Sequence, residues 1–215
     1  MEDVRNNERV VVVDHPMVQH KLSILRDEKT TTMQFREIIS ELAIFEGYEA
    51  TRDFELEDVE VTTPLETCTC KQIAGKKVAI IPILRAGLGM VDGLLQLVPT
   101  ARVGHVGMYR DPETHEPHQY YCKFPQDIEN RTCLVVDPML ATGGSATAAI
   151  EFLREAGVKD IRLLVLVAAP EGVEEVLKCD ENVRVYACSI DRELNESAYI
   201  LPGLGDAGDR IFGTK

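Results

Sequence analysis

The feature that most constrains the fold of this chain is a regular alternation of two kinds of apolar segment. The first kind is short, continuous and rich in β-branched residues, as buried strands are, and it recurs at residues 78–84, 101–109, 132–137, 161–169 and 183–190. The second kind has apolar residues at helical spacing and lies between these runs, at residues 88–98, 145–157 and 172–179. Strand alternating with helix predicts an α/β fold in which a central, mostly parallel sheet is flanked by helices on both faces.

A single domain spanning residues 1–215 is the expected organisation, because a chain of 215 residues suits one sizeable core. Residues from about 15 to 50 precede the sheet and are predicted to form a helical extension, for which a run of threonines at 30–32 offers an N-cap. We expect this extension to pack over the sheet or against a partner subunit.

Charge and apolar patterning argue against several classes of function. A net charge of −13 repels the phosphate backbone of nucleic acids, so no nucleic-acid partner is expected. No stretch approaches about 18 uninterrupted apolar residues, and acids stand where a signal peptide would be basic, which predicts no membrane association and a cytoplasmic location. The six cysteines are interpreted as buried free thiols. Only Cys68 and Cys70 are closely spaced, which is a weak metal signal without a second Cys or His pair nearby.

The most informative short stretch is VVDPMLATGGS, residues 135–145. A strand delivers Asp137 to its carboxyl end, and the residues after Ala141 turn into a helix that begins near Ser145. Such a turn points several backbone N–H groups at one place, with the positive end of the helix dipole behind them, and this arrangement binds phosphate. Gly143 and Gly144 allow close backbone approach, and Thr142 and Ser145 add hydroxyl groups. On these residues alone, an ordinary strand, turn and helix without a ligand remains the alternative.

Two motifs that the loop lacks restrict the kind of phosphate compound it can bind. No lysine follows the glycines, as it does in the loop of nucleotide triphosphatases, and no G-x-G-x-x-G follows the strand, as dinucleotide binding requires. A single terminal phosphate is therefore favoured. Asp137 lies about five residues before the loop, where its carboxylate can accept hydrogen bonds from ribose hydroxyls of the same ligand.

Two segments interrupt the regular alternation. Residues from about 109 to 125 are rich in Pro, acids and His, and they predict a long exposed loop or hairpin that could act as a flexible lid. Residues from about 199 to 215 are rich in glycine but keep Ile, Leu and Phe, so this end of the chain is predicted to fold back onto the domain.

These residues together resemble a known family. VVDPMLATGGS resembles the phosphoribosyl pyrophosphate motif of the type I phosphoribosyltransferases, and in detail that of their uracil branch. The wider family usually has two adjacent acids here, whereas Asp137 is followed by Pro138, as in the uracil branch. The likeness extends to further blocks at residues 15–27, 82–93, 106–117, 164–172 and 199–215.

The resemblance implies a set of site residues. Arg85 and Arg110 match the arginines that contact the diphosphate of the donor. On the residues alone, a surface arginine at a strand end is the lesser alternative for Arg85, which stands beside a turn with Gly87 and Gly89, whereas a solvated loop arginine fits Arg110 equally well. Donor binding is further implied for the motif and for one acid near the C-terminus: Asp137, Pro138, Met139, Leu140, Ala141, Thr142, Gly143, Gly144, Ser145 and Asp206. Uracil binding is implied for Ile200, Gly205, Asp206 and Ala207. Asp137, Arg85 and Asp206 are the predicted catalytic residues.

The fold implied by the resemblance is the type I phosphoribosyltransferase fold, with a hood made by the 109–125 segment and the C-terminal segment. The implied reaction joins uracil to 5-phospho-α-D-ribose 1-diphosphate, giving UMP and diphosphate. Mg²⁺ would arrive with the diphosphate and have no direct protein ligand. The family also implies a homodimer or homotetramer and, in parts of it, GTP as an effector. The alternative is a regulator that keeps this fold but binds pyrimidine-operon RNA, against which the acidity of the chain argues.

Overall fold

The computed structural model describes residues 3–75, 78–110 and 117–214, with only the backbone of residues 109, 110 and 117–119. The strands are β1 Val10–Val12, β2 Leu56–Thr62, β3 Thr67–Ile73, β4 Val78–Leu84, β5 Arg102–Val103, β6 His105–Arg110, β7 Pro117–Lys123, β8 Thr132–Val136, β9 Met139–Leu140, β10 Asp160–Ala168, β11 Arg184–Ile190, β12 Glu193–Leu194 and β13 Ile200–Leu201. The α-helices are α1 Pro16–Arg26, α2 Thr32–Ala50, α3 Leu88–Leu97, α4 Gly144–Glu155, α5 Pro170–Cys179 and α6 Ala207–Phe212.

The central sheet has the order β1-β11-β10-β8-β4-β6-β7, and β5 and β9 pair with β4 and β10 respectively. All of these pairings are parallel except that of β6 with β7, which is antiparallel. The predicted α/β fold with a mostly parallel central sheet is therefore confirmed. The carboxyl ends of its parallel strands lie along one side of the sheet, called here the carboxyl edge, and parallel α/β sheets bind ligands there.

Alternate residues of the central strands point to opposite faces of the sheet, and each face carries its own apolar core. Ile80, Leu134 and Leu164 lie in the core covered by α1, α2, α3 and α6. Their neighbours Ile81 and Val135 lie in the core covered by α4 and α5. Both faces are buried, and for this reason the strands read as continuous apolar runs in the sequence.

The predicted N-terminal helical extension consists of two helices. Thr31 caps α2: its hydroxyl accepts the Gln34 N–H, and the Gln34 side chain accepts the Thr31 N–H, as in a capping box. Helix α2 packs against α3 and against β10 and β11. The extension therefore covers the sheet, which was one of the two predicted placements. No helix among the described residues is both long and apolar enough to cross a bilayer.

Several elements differ from the predicted ones. The run 101–109 was predicted as one strand, but it is divided at the buried Gly104 into β5 and β6. The hairpin of β2 and β3 was not predicted, and neither was β1. Only Val59 and Val61 in β2 and Cys68 and Cys70 in β3 are half-buried and the other residues are exposed, so the alternation of apolar and polar residues that marks a half-buried strand is short in each strand.

The two irregular segments take different forms. The 109–125 segment belongs largely to the β6–β7 hairpin; residues 111–116 and the side chain of Arg110 lie outside the described part of the chain. The C-terminal segment forms β13 and α6, and its buried Ile200, Leu204 and Ile211 join the core under α1, α2 and α3. The prediction that this end folds back onto the domain is confirmed.

Candidate functional site

The 137–141 segment spans an interruption in the strand pairing along one side of β10. β8 pairs with β10 as far as Val136, and β9 resumes the pairing at Met139. Pro138 lies in the break, where a residue without an N–H does least harm to the ladder. Its carbonyl accepts the N–H groups of Leu166 and Val167, both at 3.1 Å. Main-chain hydrogen bonds thus hold the motif against the sheet, and the Asp137 side chain takes no part in that pairing.

The turn into α4 depends on Gly143. This residue has φ +91°, and a Cβ there would come within 2.9 Å of the Glu175 Cβ. Gly143 is the N-cap of α4 and provides no side chain to bond the first turn. The first intrahelical bond shown runs from the Thr147 N–H to the Gly143 carbonyl, so the N–H groups of residues 144–146 point out of the helix. An anion is the ligand that such a helix terminus favours.

Asp137 lies beside this helix terminus and is half-buried. One of its carboxylate oxygens, Oδ1, accepts the Met139 N–H at 3.3 Å, which fixes the direction of the side chain. The predicted juxtaposition of an acid with a phosphate-binding turn is therefore present in the structure.

Arg85 follows β4 at the same edge of the sheet. The next turn passes so close to β8 that a Cβ on Gly87 would lie 2.3 Å from the Val136 carbonyl oxygen, which brings the Arg85 turn up to the motif. The Arg85 side chain is 58% exposed, its Nη2 is 3.8 Å from Asp209 Oδ1, and its guanidinium carbon is 5.7 Å from the centre of the Phe212 ring. Arg85 therefore extends from the sheet edge toward α6.

The C-terminal residues predicted to bind uracil have distinct environments. Ile200 is buried in β13, while Gly205 has φ +72°, and a Cβ added to it would meet no other atom within 4 Å. Asp206 is the N-cap of α6: its Oδ1 accepts the Asp209 N–H at 2.8 Å. Ala207 is buried at the start of α6. Asp206 thus has a structural role of its own as a helix cap, and its other carboxylate oxygen is outside that bond.

A cleft of about 390 Å³ lies between the 137–145 loop and the C-terminal segment. From the predicted site it is lined by Asp137, Met139, Leu140, Ala141, Gly143, Ser145, Gly205, Asp206 and Ala207. The structure therefore brings the phosphate-binding loop and the C-terminal segment together around one space. Among the described side chains, five predicted residues are not in its lining: Arg85, Pro138, Thr142, Gly144 and Ile200. Arg85 immediately precedes Ala86, which does line the cleft.

The lining also includes residues that sequence reasoning missed, chiefly Ser197, Ala198 and Tyr199. They belong to a tight turn in which the Asn195 Oδ1 accepts the N–H groups of Ser197 and Tyr199 at 3.0 and 2.9 Å. Ala198 has φ +60°, which is uncommon for a residue with a Cβ. The polar run NES before Tyr199 signalled a turn, but nothing in it pointed to a cleft.

The fold and the cleft first define a class of protein. A parallel sheet that presents a phosphate-binding turn, an adjacent acid and an arginine at its carboxyl edge, covered by a C-terminal segment, is the arrangement of the type I phosphoribosyltransferases. A family model described as uracil phosphoribosyltransferase matches residues 12–214. The chain belongs to the uracil phosphoribosyltransferase family.

Individual relatives agree with the family model. The chain is 60% identical over 207 residues to the uracil phosphoribosyltransferases of Desulfitobacterium hafniense and Clostridioides difficile, and each match covers 96% of this chain and 99% of the relative. Among solved structures, a protein from Aquifex aeolicus superimposes with a TM-score of 0.91 at 34% identity, covering 96% of this chain and 99% of that one. The resemblance seen in the sequence is confirmed.

Proposed function

We propose that the cleft between the 137–145 loop and the C-terminal segment is where this pentosyltransferase joins uracil to 5-phospho-α-D-ribose 1-diphosphate, giving UMP and diphosphate. The observation that carries the proposal is the lining of one 390 Å³ space by both the phosphate-binding loop and residues 205–207. A sugar phosphate held by the loop would present its ribose to a base held by the C-terminal segment, as a transfer between the two requires.

Each part of the donor has residues suited to it. The N–H groups of residues 144–146 and the hydroxyl of Ser145 would bind the 5′-phosphate. Asp137 would accept hydrogen bonds from the ribose hydroxyls, since a carboxylate has acceptor capacity beyond the Met139 N–H. Arg85 would bind the diphosphate, because an exposed guanidinium offers paired donors to phosphate oxygens. Arg110 keeps its proposed diphosphate contact as a prediction.

The chemistry then requires positioning more than covalent participation by the protein. A ring nitrogen of uracil bonds to the ribose carbon from which diphosphate leaves, and the proton of that nitrogen is released to water or to the departing diphosphate. Positive charge develops on the ribose ring as the bond from the ribose carbon to the diphosphate oxygen breaks. Asp137, beside the ring, would stabilise this charge, and Arg85 would stabilise the negative charge on the leaving group. Asp206 would orient the attacking nitrogen. The β6–β7 hairpin would cover the cleft and exclude water, which would otherwise hydrolyse the activated sugar.

Uracil is small, flat and neutral, and its edge alternates carbonyl acceptors with N–H donors. Backbone groups of residues 205–207 can read this edge without a charged side chain. Cytosine has an amino group where uracil has a carbonyl oxygen, so this donor would face backbone donors of the site. A buried polar mismatch of this kind costs about 1–3 kcal/mol, so we expect uracil to be preferred over cytosine.

The residues at the cleft fit Mg²⁺ bound through the diphosphate. Their donors are carboxylate and carbonyl oxygens, which this hard cation prefers. Within the described part of the chain, no group of three or more His, Cys, Asp or Glu side chains is arranged to hold a metal. An ion near Asp137 or Asp206 would therefore take its ligands from diphosphate and water. When bound, it would neutralise charge on the leaving diphosphate.

The proposal is tested by following the transfer from 5-phospho-α-D-ribose 1-diphosphate to uracil, cytosine, hypoxanthine and orotate in parallel assays with Mg²⁺. We expect UMP to form from uracil and little product from the other three bases. Transfer to hypoxanthine or orotate without transfer to uracil would overturn the assignment of the base.

Other aspects of the function stay predictions with their own tests. Exposed apolar side chains on the first two helices, Met17, Met33 and Tyr48, support a homodimer or homotetramer, which light scattering would detect. GTP as an effector is tested by adding it to the uracil assay. The single-domain organisation and the cytoplasmic location also stay predictions.

A further inference from the structure

An ion pair between a part-buried arginine and a buried aspartate is bound to the C-terminal segment. The Asp191 side chain, which follows β11, is only 2% exposed, and that of Arg26, at the end of α1, is 22% exposed. The Arg26 Nη1 and Nη2 donate to Oδ2 and Oδ1 of Asp191 at 2.8 and 2.6 Å, so the pair is bidentate. The hydroxyl of Ser189 donates to the same Oδ1 at 2.7 Å.

Both members of this pair also bind the backbone of Gly203. The Gly203 N–H donates to Asp191 Oδ2 at 2.8 Å, and the Gly203 carbonyl accepts from Arg26 Nη1 at 2.9 Å. The two peptide groups that flank one residue are therefore fixed by two opposite charges. Gly203 has φ +63°, and it comes two residues before Gly205 in the cleft lining.

A second arginine fixes the next residue. The Arg210 Nη1 donates to the Leu204 carbonyl at 3.0 Å, and its Nη2 donates to the Asp27 carbonyl at 2.6 Å. The end of α1 is thus tied to residues 203 and 204, immediately before the residues that line the cleft. The tie joins parts of the chain that are far apart in sequence, as Arg26 and Asp191 are 165 residues apart.

We propose that Arg26 and Asp191 are positioning residues for base binding, which hold residues 203–207 in the shape that receives the base. The proposal rests on the proposed function, because it assigns those residues to the base. Neither Arg26 nor Asp191 lines the cleft, so both act through Gly203. A loop that is already held in its binding shape loses little conformational freedom when the ligand binds.

The charges of the pair are suited to this role. Burial raises the pKa of the Asp191 carboxyl, but the hydrogen bonds from Arg26, Ser189 and the Gly203 N–H lower it more, so this pKa lies below its usual range. The carboxylate is therefore ionised at neutral pH. Removing the Arg26 charge would leave the Asp191 carboxylate buried and unpaired, which can unfold the protein, so the test uses variants that keep both charges.

The first test replaces the guanidinium and retains the positive charge. Arg26→Lys cannot bind Asp191 and the Gly203 carbonyl in the same forked geometry. We expect the KM for uracil to rise about 10-fold and the KM for 5-phospho-α-D-ribose 1-diphosphate and kcat to change clearly less, because Gly205 and Ala207 serve the base alone and Asp206, which also serves the donor, keeps its own cap bond to α6.

Arg154→Lys is the matched control. Arg154 also forms a bidentate pair with an aspartate, Asp180, at side-chain exposures of 26% and 11%, and it too donates to backbone carbonyls, those of Val158 and Lys159. Neither Arg154 nor Asp180 lines the cleft. We expect this variant to lose stability comparably but to keep the wild-type KM for uracil. An equal rise of that KM in both variants, or no rise in Arg26→Lys, overturns the positioning role.

A second variant and a second measurement keep the test decisive. If Arg26→Lys fails to fold, Ser189→Ala removes one hydrogen bond to Asp191, and its KM for uracil should rise about 2- to 3-fold, as the loss of one modest bond would cause. An unchanged KM in a folded Ser189→Ala protein overturns the proposal.

Hydrogen exchange separates this proposal from the proposed function. In Arg26→Lys, or in Ser189→Ala if the former does not fold, the amides of residues 203–209 should exchange faster while those of residues 144–147 keep their wild-type rates. This result does not depend on which base the enzyme uses. Failure of the wild type to use uracil, with the exchange pattern as expected, would reject the proposed base but keep the loop attachment. Unchanged exchange at 203–209 would reject the attachment whatever the substrate.

Discussion

The phosphate-binding loop and the C-terminal segment face each other across one cleft, but the chain holds them by different means. The loop is fixed by its own main chain: the Asp137 N–H donates to the Leu164 carbonyl at 3.2 Å, and the Leu140 carbonyl accepts the Ala169 N–H at 2.8 Å. The C-terminal segment is held by charged side chains, the Arg26–Asp191 pair from outside the segment and Arg210 from within it. One half of the site is held by main-chain bonds to the β10 region, and the other by bonds from charged side chains.

This difference predicts how each half responds to substitution. A loop held by backbone bonds tolerates changes of side chain unless they alter the backbone itself or remove a group that contacts the ligand. A segment held by charged side chains is sensitive to residues that never touch the ligand. Substitutions in the two halves should therefore affect different substrates: the sugar phosphate for the loop, and the base for the C-terminal segment.

The largest expected effect comes from Asp137→Asn in the loop half. The amide keeps the shape of the side chain but replaces one acceptor oxygen by a donor group and removes the negative charge beside the ribose. Because hydrogen bonds to a charged group contribute about 1.5–3 kcal/mol each, we expect turnover to fall roughly 100-fold or more. Steady-state kinetics would measure this. Thermal unfolding should be close to that of the wild type, and a folded variant with near-normal turnover would remove Asp137 from the mechanism.

The next effect is expected from Gly143→Ala, which alters the backbone of the loop. A Cβ at φ +91° and 2.9 Å from the Glu175 Cβ forces the turn to move. Strain of this kind costs about 1–3 kcal/mol, so the KM for the phosphoribosyl donor should rise about 10-fold with a smaller change for uracil.

Gly157→Ala is the control for this variant. Gly157 follows the other end of α4, and it also has a positive φ, +84°, where an added Cβ would lie 3.3 Å from the Glu129 Cβ. It should reduce stability without raising either KM. If both alanine variants changed donor binding alike, the effect would come from α4 as a whole and not from the turn.

A contrast between local and long-range determinants also explains which parts of the molecule could be predicted from the sequence. The central strands were predictable because burial on both faces leaves a continuous apolar run, as in β4 and β10. Helix α4 was predictable because its apolar spacing ends at Gly157. The β2–β3 hairpin was not, because its strands face solvent and carry acids and threonines. Its strands pair from Leu56 with Ile73 to Thr62 with Thr67, but the alternation of apolar and polar residues covers only Val59 and Val61 in β2 and Cys68 and Cys70 in β3.

The candidate site divides in the same way. Asp137 and the turn at Gly143 lie within one strand, turn and helix, so the sequence alone indicated a phosphate site. Arg26 and Asp191 each resemble ordinary surface charges in the sequence, and only the fold brings them to Gly203. The turn at Ser197 also reaches the cleft through tertiary packing. Residue chemistry at the base half was accessible only through resemblance to a family.

A smaller effect is expected from Arg210→Lys, which sharpens the comparison within the C-terminal half. A lysine cannot bind the carbonyls of Leu204 and Asp27 together, and it loses the stacking of the guanidinium, whose carbon lies 4.2 Å from the centre of the Phe35 ring. The lysine keeps the positive charge and can still bind one of the two carbonyls, and no buried carboxylate loses its partner, so we expect the KM for uracil to rise about 2- to 3-fold, less than in Arg26→Lys. Kinetics with each substrate varied would test this. A larger change for the phosphoribosyl donor than for uracil would contradict the division of the site.

The smallest effect on either half is expected from Glu46→Gln, although this carboxyl is fully buried. Glu46 lies in α2, where its Oε1 accepts from the Cys188 thiol at 3.5 Å and its Oε2 has no partner among the described residues. Burial raises the pKa of Glu46 well above its ordinary 4.5, and the hydrogen bond from Cys188 offsets only part of this. The folded protein therefore keeps a proton here that the unfolded chain releases.

The sign of the resulting pH dependence follows from that proton. Above about pH 4.5 the unfolded chain binds fewer protons than the folded one, so this group makes the free energy of unfolding fall with rising pH, by at most about 1.4 kcal/mol per pH unit. Glutamine matches the neutral carboxyl in shape and does not titrate. The stability of Glu46→Gln relative to the wild type should therefore increase from pH 5 to pH 8 in urea unfolding, while both KM values at neutral pH stay unchanged. A difference that is constant with pH would mean that Glu46 is ionised in the folded protein.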